Sequence, residues 1–177
     1  MNDELGRFYK GILFEVIDFT VHTGAKVSCA KRGSTLVPLG KVEIYGMGKV
    51  KMWPQDELNQ LQKMKQKNRK EYDKNPQNEQ RLKKIKILKK NYERSQAMFE
   101  AVKQVGMVGS VEDIENIIDN LLDVGEELTV DADDTGRQKI NKIDAPNGQL
   151  KVISTWKVLP DGTKYLATIN FIPQGFS

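Results

Sequence analysis

The sequence predicts an α+β fold: a β-rich body assembled from antiparallel hairpins at both chain ends, with a helical insertion between them. Three observations predict it. Residues before 53 and after 126 are rich in β-branched and aromatic residues and punctuated by Gly turns. Residues 54–125 instead carry apolar side chains at spacings of three and four. Charge divides the same insertion in two. Residues 51–104 hold fifteen Lys or Arg against seven Asp or Glu, and 105–145 hold three against eleven, so the net +4 conceals two opposed blocks.

In chain order, Lys10 to His22 reads as strand. Val42 and Ile44 alternate with polar neighbours, as do Val50 and Met52, so a hairpin closing at Gly46-Met47-Gly48 is expected. It would set Ile44 against Val50, Val42 against Met52, and Glu43 against Lys51. Pro54, with Asp56 and Glu57 behind it, opens a helix expected to reach Tyr72. Asn75-Pro76 starts a second helix, whose seam is expected at Leu82, Ile85, Leu88, Tyr92, Phe99 and Val102, with Ser95 in its one polar slot. Two helices joined by so short a break are expected to pair antiparallel over 54–105.

Gly106 and Gly109 stop the long helix, and Ser110-Val111-Glu112-Asp113 resembles a capping box. It opens an acidic amphipathic helix over 110–124, whose apolar face is Ile114, Ile117, Ile118, Leu121 and Leu122. Asn147-Gly148 and Asp161-Gly162 mark two hairpin turns. Symmetric pairing about the second sets Val158 against Tyr165, Trp156 against Ala167, Ser154 against Ile169 and Val152 against Phe171. The implied division is a body of 1–53 and 126–177, with 54–125 inserted.

Composition narrows the class. A chain of 177 residues buries enough surface to need no staple. Cys29 is alone, which excludes an intramolecular disulfide and a cysteine-built zinc site. An acidic start, Met1-Asn2-Asp3-Glu4, and no apolar run of about 20 residues point to a soluble, cytoplasmic protein without membrane contact.

Catalytic and cofactor signals fail on spacing. Gly40-Lys41 ends a glycine-containing stretch, but Val42 stands where a phosphate loop needs Ser or Thr. Gly46 and Gly48 lack the third glycine of a dinucleotide fingerprint. His22 and Cys29 would approach across a hairpin at Thr23–Lys26, yet no third group orients them, so a packed thiol and a loop imidazole are expected. Asp131, Asp133 and Gly136 match the start of a calcium loop, but Lys142 stands where the closing acid belongs. A solvated loop is expected there, with weak divalent-ion binding through Asp131, Asp133 and Asp134 as the alternative. No enzyme activity and no cofactor are expected.

The basic block carries the functional expectation. Lys63, Lys65, Lys67, Arg69 and Lys70 crowd the end of one helix; Arg81, Lys83, Lys84, Lys86, Lys89 and Lys90 crowd the start of the next. In an antiparallel hairpin the two clusters meet at its tip. The first reading is a non-catalytic assembly protein, of the kind found among viral structural components or accessory subunits. It docks Leu58, Leu61, Ile85, Ile87 and Leu88 into a neighbour, and its basic tip meets the acidic stretch 112–134 of the next copy. The alternative is nucleic-acid binding through those basic residues, helped by Lys26, Lys31, Arg32 and Lys41.

Overall fold

The computed structural model describes residues 14–129 and 137–175. Strands β1 (Glu15–Thr20), β2 (Lys26–Arg32) and β3 (Thr35–Pro38) form an antiparallel meander near the start of the chain. Strands β4 (Arg137–Ala145), β5 (Gly148–Val158) and β6 (Lys164–Gly175) form a second one near its end. The two join through a parallel pair, Thr35 beside Lys164 and Leu36 beside Tyr165, giving one mixed six-stranded sheet in the order β1-β2-β3-β6-β5-β4. Between the meanders the described residues form four α-helices: α1 (Gln55–Lys67), α2 (Arg69–Asp73), α3 (Gln77–Gln104) and α4 (Val111–Glu126). The fold is α+β.

The sheet buries one face against α4 and the second half of α3. Along β5, Leu150, Val152, Ser154 and Trp156 are buried at every second position, the period a half-covered strand requires. Ile114, Ile117, Ile118, Leu121 and Leu122 of α4 fill the other side of this core, with Met98, Ala101 and Val102 of α3. Ser110 begins α4 as the sequence implies: its hydroxyl accepts from Asp113 N at 3.1 Å, and the Asp113 carboxylate accepts from Ser110 N. Gly125 lets α4 lie directly on the sheet, because an added Cβ would fall 3.0 Å from Trp156 and closer still to Thr35. A hairpin turn also falls at the Asn147-Gly148 signal, but its two loop residues are Pro146 and Asn147, with Gly148 already paired to Ala145.

Four local expectations are corrected. Residues 41–45 form a single π-type turn instead of a hairpin arm: Gly46 N donates to Lys41 O at 3.0 Å, and Lys49 N to Ile44 O at 2.9 Å. Val42 and Met47 therefore enter the core, whereas Ile44 and Met52 stay exposed. Gly46 makes this turn tenable, since any Cβ there would lie 2.8 Å from the Phe171 ring. Second, β5–β6 pairing follows the expected register at Ser154–Ile169 and Val152–Phe171 but shifts beyond a bulge at Thr155/Trp156. The shift sets Trp156 against Leu166 and Val158 against Lys164, burying Leu166 where simple symmetry would bury Ala167. Third, the first helix stops at Lys67. Asn68, at φ −143°, leaves the helix and caps α2 through its side chain.

The fourth correction concerns α3. It has no continuous seam. Its first half buries Leu82 and Ile85 against α1, and its second half buries Ser95, Met98, Ala101 and Val102 against the body. At 100° per residue those two sets face roughly opposite directions. Leu88, between them, is exposed. Ser95, the polar slot, hydrogen-bonds the carbonyls of Tyr45 at 2.8 Å and Ile44 at 3.4 Å, tying α3 to the π-type turn.

Candidate functional site

Helix α1 and the first half of α3 enclose a second apolar cluster of Leu58, Leu61, Tyr72, Leu82 and Ile85, which shares no buried residue with the core beneath the sheet. Polar contacts at its rim hold the helices in register. Arg81 grips Glu57 through two nitrogens, one of them at 3.0 Å, and Lys65 reaches Glu79 at 3.2 Å. The Tyr72 hydroxyl donates to Glu79. Burial of the ring, then that hydrogen bond to an anion, pushes the Tyr72 phenol up to about 12. Hydrogen bonds from Tyr72 and Lys65 hold Glu79 below the usual carboxylate range, and the hydrogen bond from Arg81 does the same for Glu57.

Of the basic candidates, Lys65, Arg69 and Arg81 are therefore matched to acids of the same helices, Arg69 to Asp73 at 3.1 Å. Lys89 stands 5.5 Å from the centre of the Trp53 ring. Among the described residues, Lys63, Lys67, Lys70, Lys83, Lys84, Lys86 and Lys90 are exposed and form no salt bridge. Lys83, Lys86, Lys90 and Arg94 fall within an arc of roughly 80° on α3, a cationic stripe about three turns long.

The acidic block is spent differently. On α4, Asp113 caps its own helix, and Asp119 and Asp123 both hold Arg32 of β2, the latter at 2.7 Å. Glu126 accepts from the Thr35 hydroxyl at 2.6 Å. Lys164 donates to the carbonyls of Glu126 and Leu128 at the end of that helix, where the helix dipole favours a cation. No sequence pattern marks Arg32 or Lys164 for these roles, because their partners lie 36 to 91 positions away. No salt bridge joins α4 to the basic helices among the described residues.

The expected apolar docking residues separate. Leu58, Leu61 and Ile85 are inside the second cluster, out of a partner's reach; Ile87 and Leu88 are exposed. His22 and Cys29 are not brought together. Register places Cys29 opposite Ile17, with its thiol buried, while His22 lies in the exposed turn beyond Thr20. Burial, then the Asp18 charge, pushes that thiol up to about 12. Asp131, Asp133 and Asp134 lie outside the described residues. Lys26, Lys31 and Arg32 lie on β2, Lys31 being 4.0 Å from Glu15.

Two concavities lie on the surface of the described residues. A groove of ≈ 630 Å³ runs between the β1–β2 turn and the β5–β6 turn; it is floored by Phe19, Val21, Leu159 and Tyr165, with His22, Lys157 and Asp161 at its margin. A smaller one, ≈ 180 Å³, lies at the foot of the cationic stripe between Lys41, Tyr45, Asn91, Arg94, Met98, Thr168 and Ile169. Burial, then the charges of Arg94 and Lys157, hold Lys41 below its ordinary value of 10.5. Arg94 and Lys157 carry no joint sequence signal with Lys41, because only the fold brings them towards it.

No helix among the described residues is long and apolar enough to cross a membrane. No family model matches the chain, and a search of curated proteins found no match.

Proposed function

We propose that this chain is a non-catalytic binding protein that holds nucleic-acid phosphates on the outer surface of an antiparallel helical hairpin, α1 against the first half of α3. The pairings Glu57–Arg81 and Lys65–Glu79 support the antiparallel arrangement, since each contact later in α1 meets an earlier residue of α3. The observation that carries the function is the asymmetry between the charge blocks. Four acids of α4 are engaged within their own fold, whereas seven lysines of α1, α2 and α3 are exposed and form no salt bridge among the described residues. Unmatched cations at that density suit a ligand with regularly spaced charge. A phosphate backbone fits, because contact releases its condensed counterions.

The test is the salt dependence of binding to a short duplex. Replacing Lys83, Lys84, Lys86 and Lys90 with Glu should abolish binding at low salt. Single Lys→Gln changes should each reduce the slope of log K against log salt by about 0.9. A slope near zero, or binding indifferent to the fourfold change, overturns the proposal.

Self-assembly is the second reading, and the exposure of Ile87 at 59% on α3 favours it. Head-to-tail docking of the opposed blocks is less well supported, because α4 spends much of its charge internally. Light scattering separates the readings: a mass above 20.1 kDa that falls on Ile87→Ser and Leu88→Ser replacement identifies assembly through α3.

A further inference from the structure

We propose that Lys41, Tyr45, Asn91, Arg94 and Thr168 form a pocket for one tetrahedral oxyanion, a phosphate or phosphate monoester, where α3 crosses β6. The site stands apart from the phosphate-backbone contacts on the helical hairpin and does not depend on them.

Its lining is chemically one-sided. Two cations, an amide and two hydroxyl groups surround a space floored by Met98 and Ile169, both buried, and no carboxylate lines it among the described residues. Lys41 is only partly exposed, has no hydrogen-bond acceptor or salt bridge among the described residues, and stands 5.6 Å from the centre of the Tyr45 ring. A half-buried ammonium without an acceptor is a cost that a bound anion removes. Arg94 supplies the planar fork that matches two oxygens of one phosphate, Lys41 a point charge, and the neutral groups further polar partners. The charge of Lys157 adds to the same local field, since it acts on Lys41 in the same direction as Arg94.

Size selects the ligand. The ≈ 180 Å³ space holds about six water volumes at roughly 30 Å³ each, room for a phosphate group and its waters. Pockets for whole drug-sized ligands begin near 300 Å³, so any attached organic part must lie outside. The neighbourhood of α3 makes entry easy, because the stripe of Lys83, Lys86 and Lys90 leads to Arg94 and raises the local anion concentration.

The experiment titrates the full chain with inorganic phosphate and follows backbone amide resonances. Saturable shifts centred on residues 41–45, 91–94 and 168–169 are expected. Lys41→Met keeps the aliphatic stem and Arg94→Ala removes the fork; each should weaken phosphate binding about tenfold or more. Arg94→Lys, which keeps the charge, should fall between. Thermal melts of the variants show whether each is folded, and Arg94→Lys on the exposed side of α3 preserves the test if Lys41→Met does not fold. Replacing Lys63, Lys67 and Lys70 with Gln, on α1 and α2 and outside the pocket lining, should leave phosphate binding within a few-fold of the unaltered protein, even if duplex binding weakens. A 5′-phosphorylated oligonucleotide binding tighter than its unphosphorylated twin assigns the ligand to a strand end; equal binding of the two assigns it to a free phosphate compound. Shifts that do not saturate, or an affinity unchanged by both Lys41→Met and Arg94→Ala, overturn the site.

Discussion

Leu166→Ala tests whether the two apolar clusters open separately. Leu166 is fully buried against Trp156 in the core beneath the sheet and has no place in the cluster between α1 and α3. The change removes three buried carbons, which at about 0.8 kcal/mol each costs about 2.4 kcal/mol before any cavity is counted. At 1.36 kcal/mol per tenfold, the opening constant of the body rises about 60-fold. Native-state amide exchange reads it directly. Amides of β5 and β6 should exchange about 60-fold faster. Amides of α1 and residues 77–88 should keep their rates within about twofold, because their local opening leaves the altered core intact. Ile85→Ala should behave asymmetrically. It destabilises the native state relative both to the state with the helical pair open and to the unfolded chain, so both groups should accelerate. If Leu166→Ala speeds the α1 amides as much as those of β5, the chain opens as one unit and the separation of the clusters has no energetic meaning.

Three further outcomes are expected. Gly125→Ala should destabilise by about 1–3 kcal/mol, despite the better helix propensity of Ala, because the new Cβ has no room beside Thr35 and Trp156; a thermal melt shifted upward would contradict that packing. Cys29 should resist a thiol reagent at pH 8 until the chain unfolds, and rapid labelling of the native protein would refute its burial and raised pKa. Glu57 and Glu79 have folded pKa values below the ordinary 4.5, so their stabilisation is present above that value and is lost as pH falls through the lower folded ones. Acidification from pH 5 to pH 3 should therefore loosen α1 and the start of α3; protection there that rises on acidification would reverse the sign.

Elements were legible wherever one local cause decided them. The capping box at Ser110, the Asn147-Gly148 turn and the apolar face of α4 each follow from residues within a few positions of one another. The misreadings share a cause as well. Val42 and Ile44 alternate like a strand, but the Phe171 ring sits beside Gly46, and that contact with a residue 125 positions away sets the local geometry. On α3, apolar residues recur at helical spacing throughout, yet the helix leaves one partner and meets another. Spacing alone joined Ile85 and Val102 into a single seam, although α1 covers the first and the body covers the second. The site divided in the same way. Clusters contiguous in sequence, such as Lys83 to Lys90, were visible, whereas Lys41, Arg94 and Lys157 come from three elements and carry no joint pattern.

The opposed charge blocks are the clearest instance of a sequence feature whose meaning depends on the fold. Equal and opposite runs suggest mutual neutralisation, and Coulomb attraction alone would favour it. Partnering instead follows where each acid is anchored. Asp119 and Asp123 of α4 meet Arg32, and Glu126 meets Thr35, partners that β2 and β3 hold close by. The basic helices use two of their own acids, Glu57 and Glu79, at the rim of their apolar cluster, where they tie α1 to α3. Each acid so committed leaves neighbouring lysines without a partner. The same ion pairs that hold the helices together therefore leave their outer surface positive, and weakening Glu57–Arg81 should loosen the helices and disperse the cationic surface in one step.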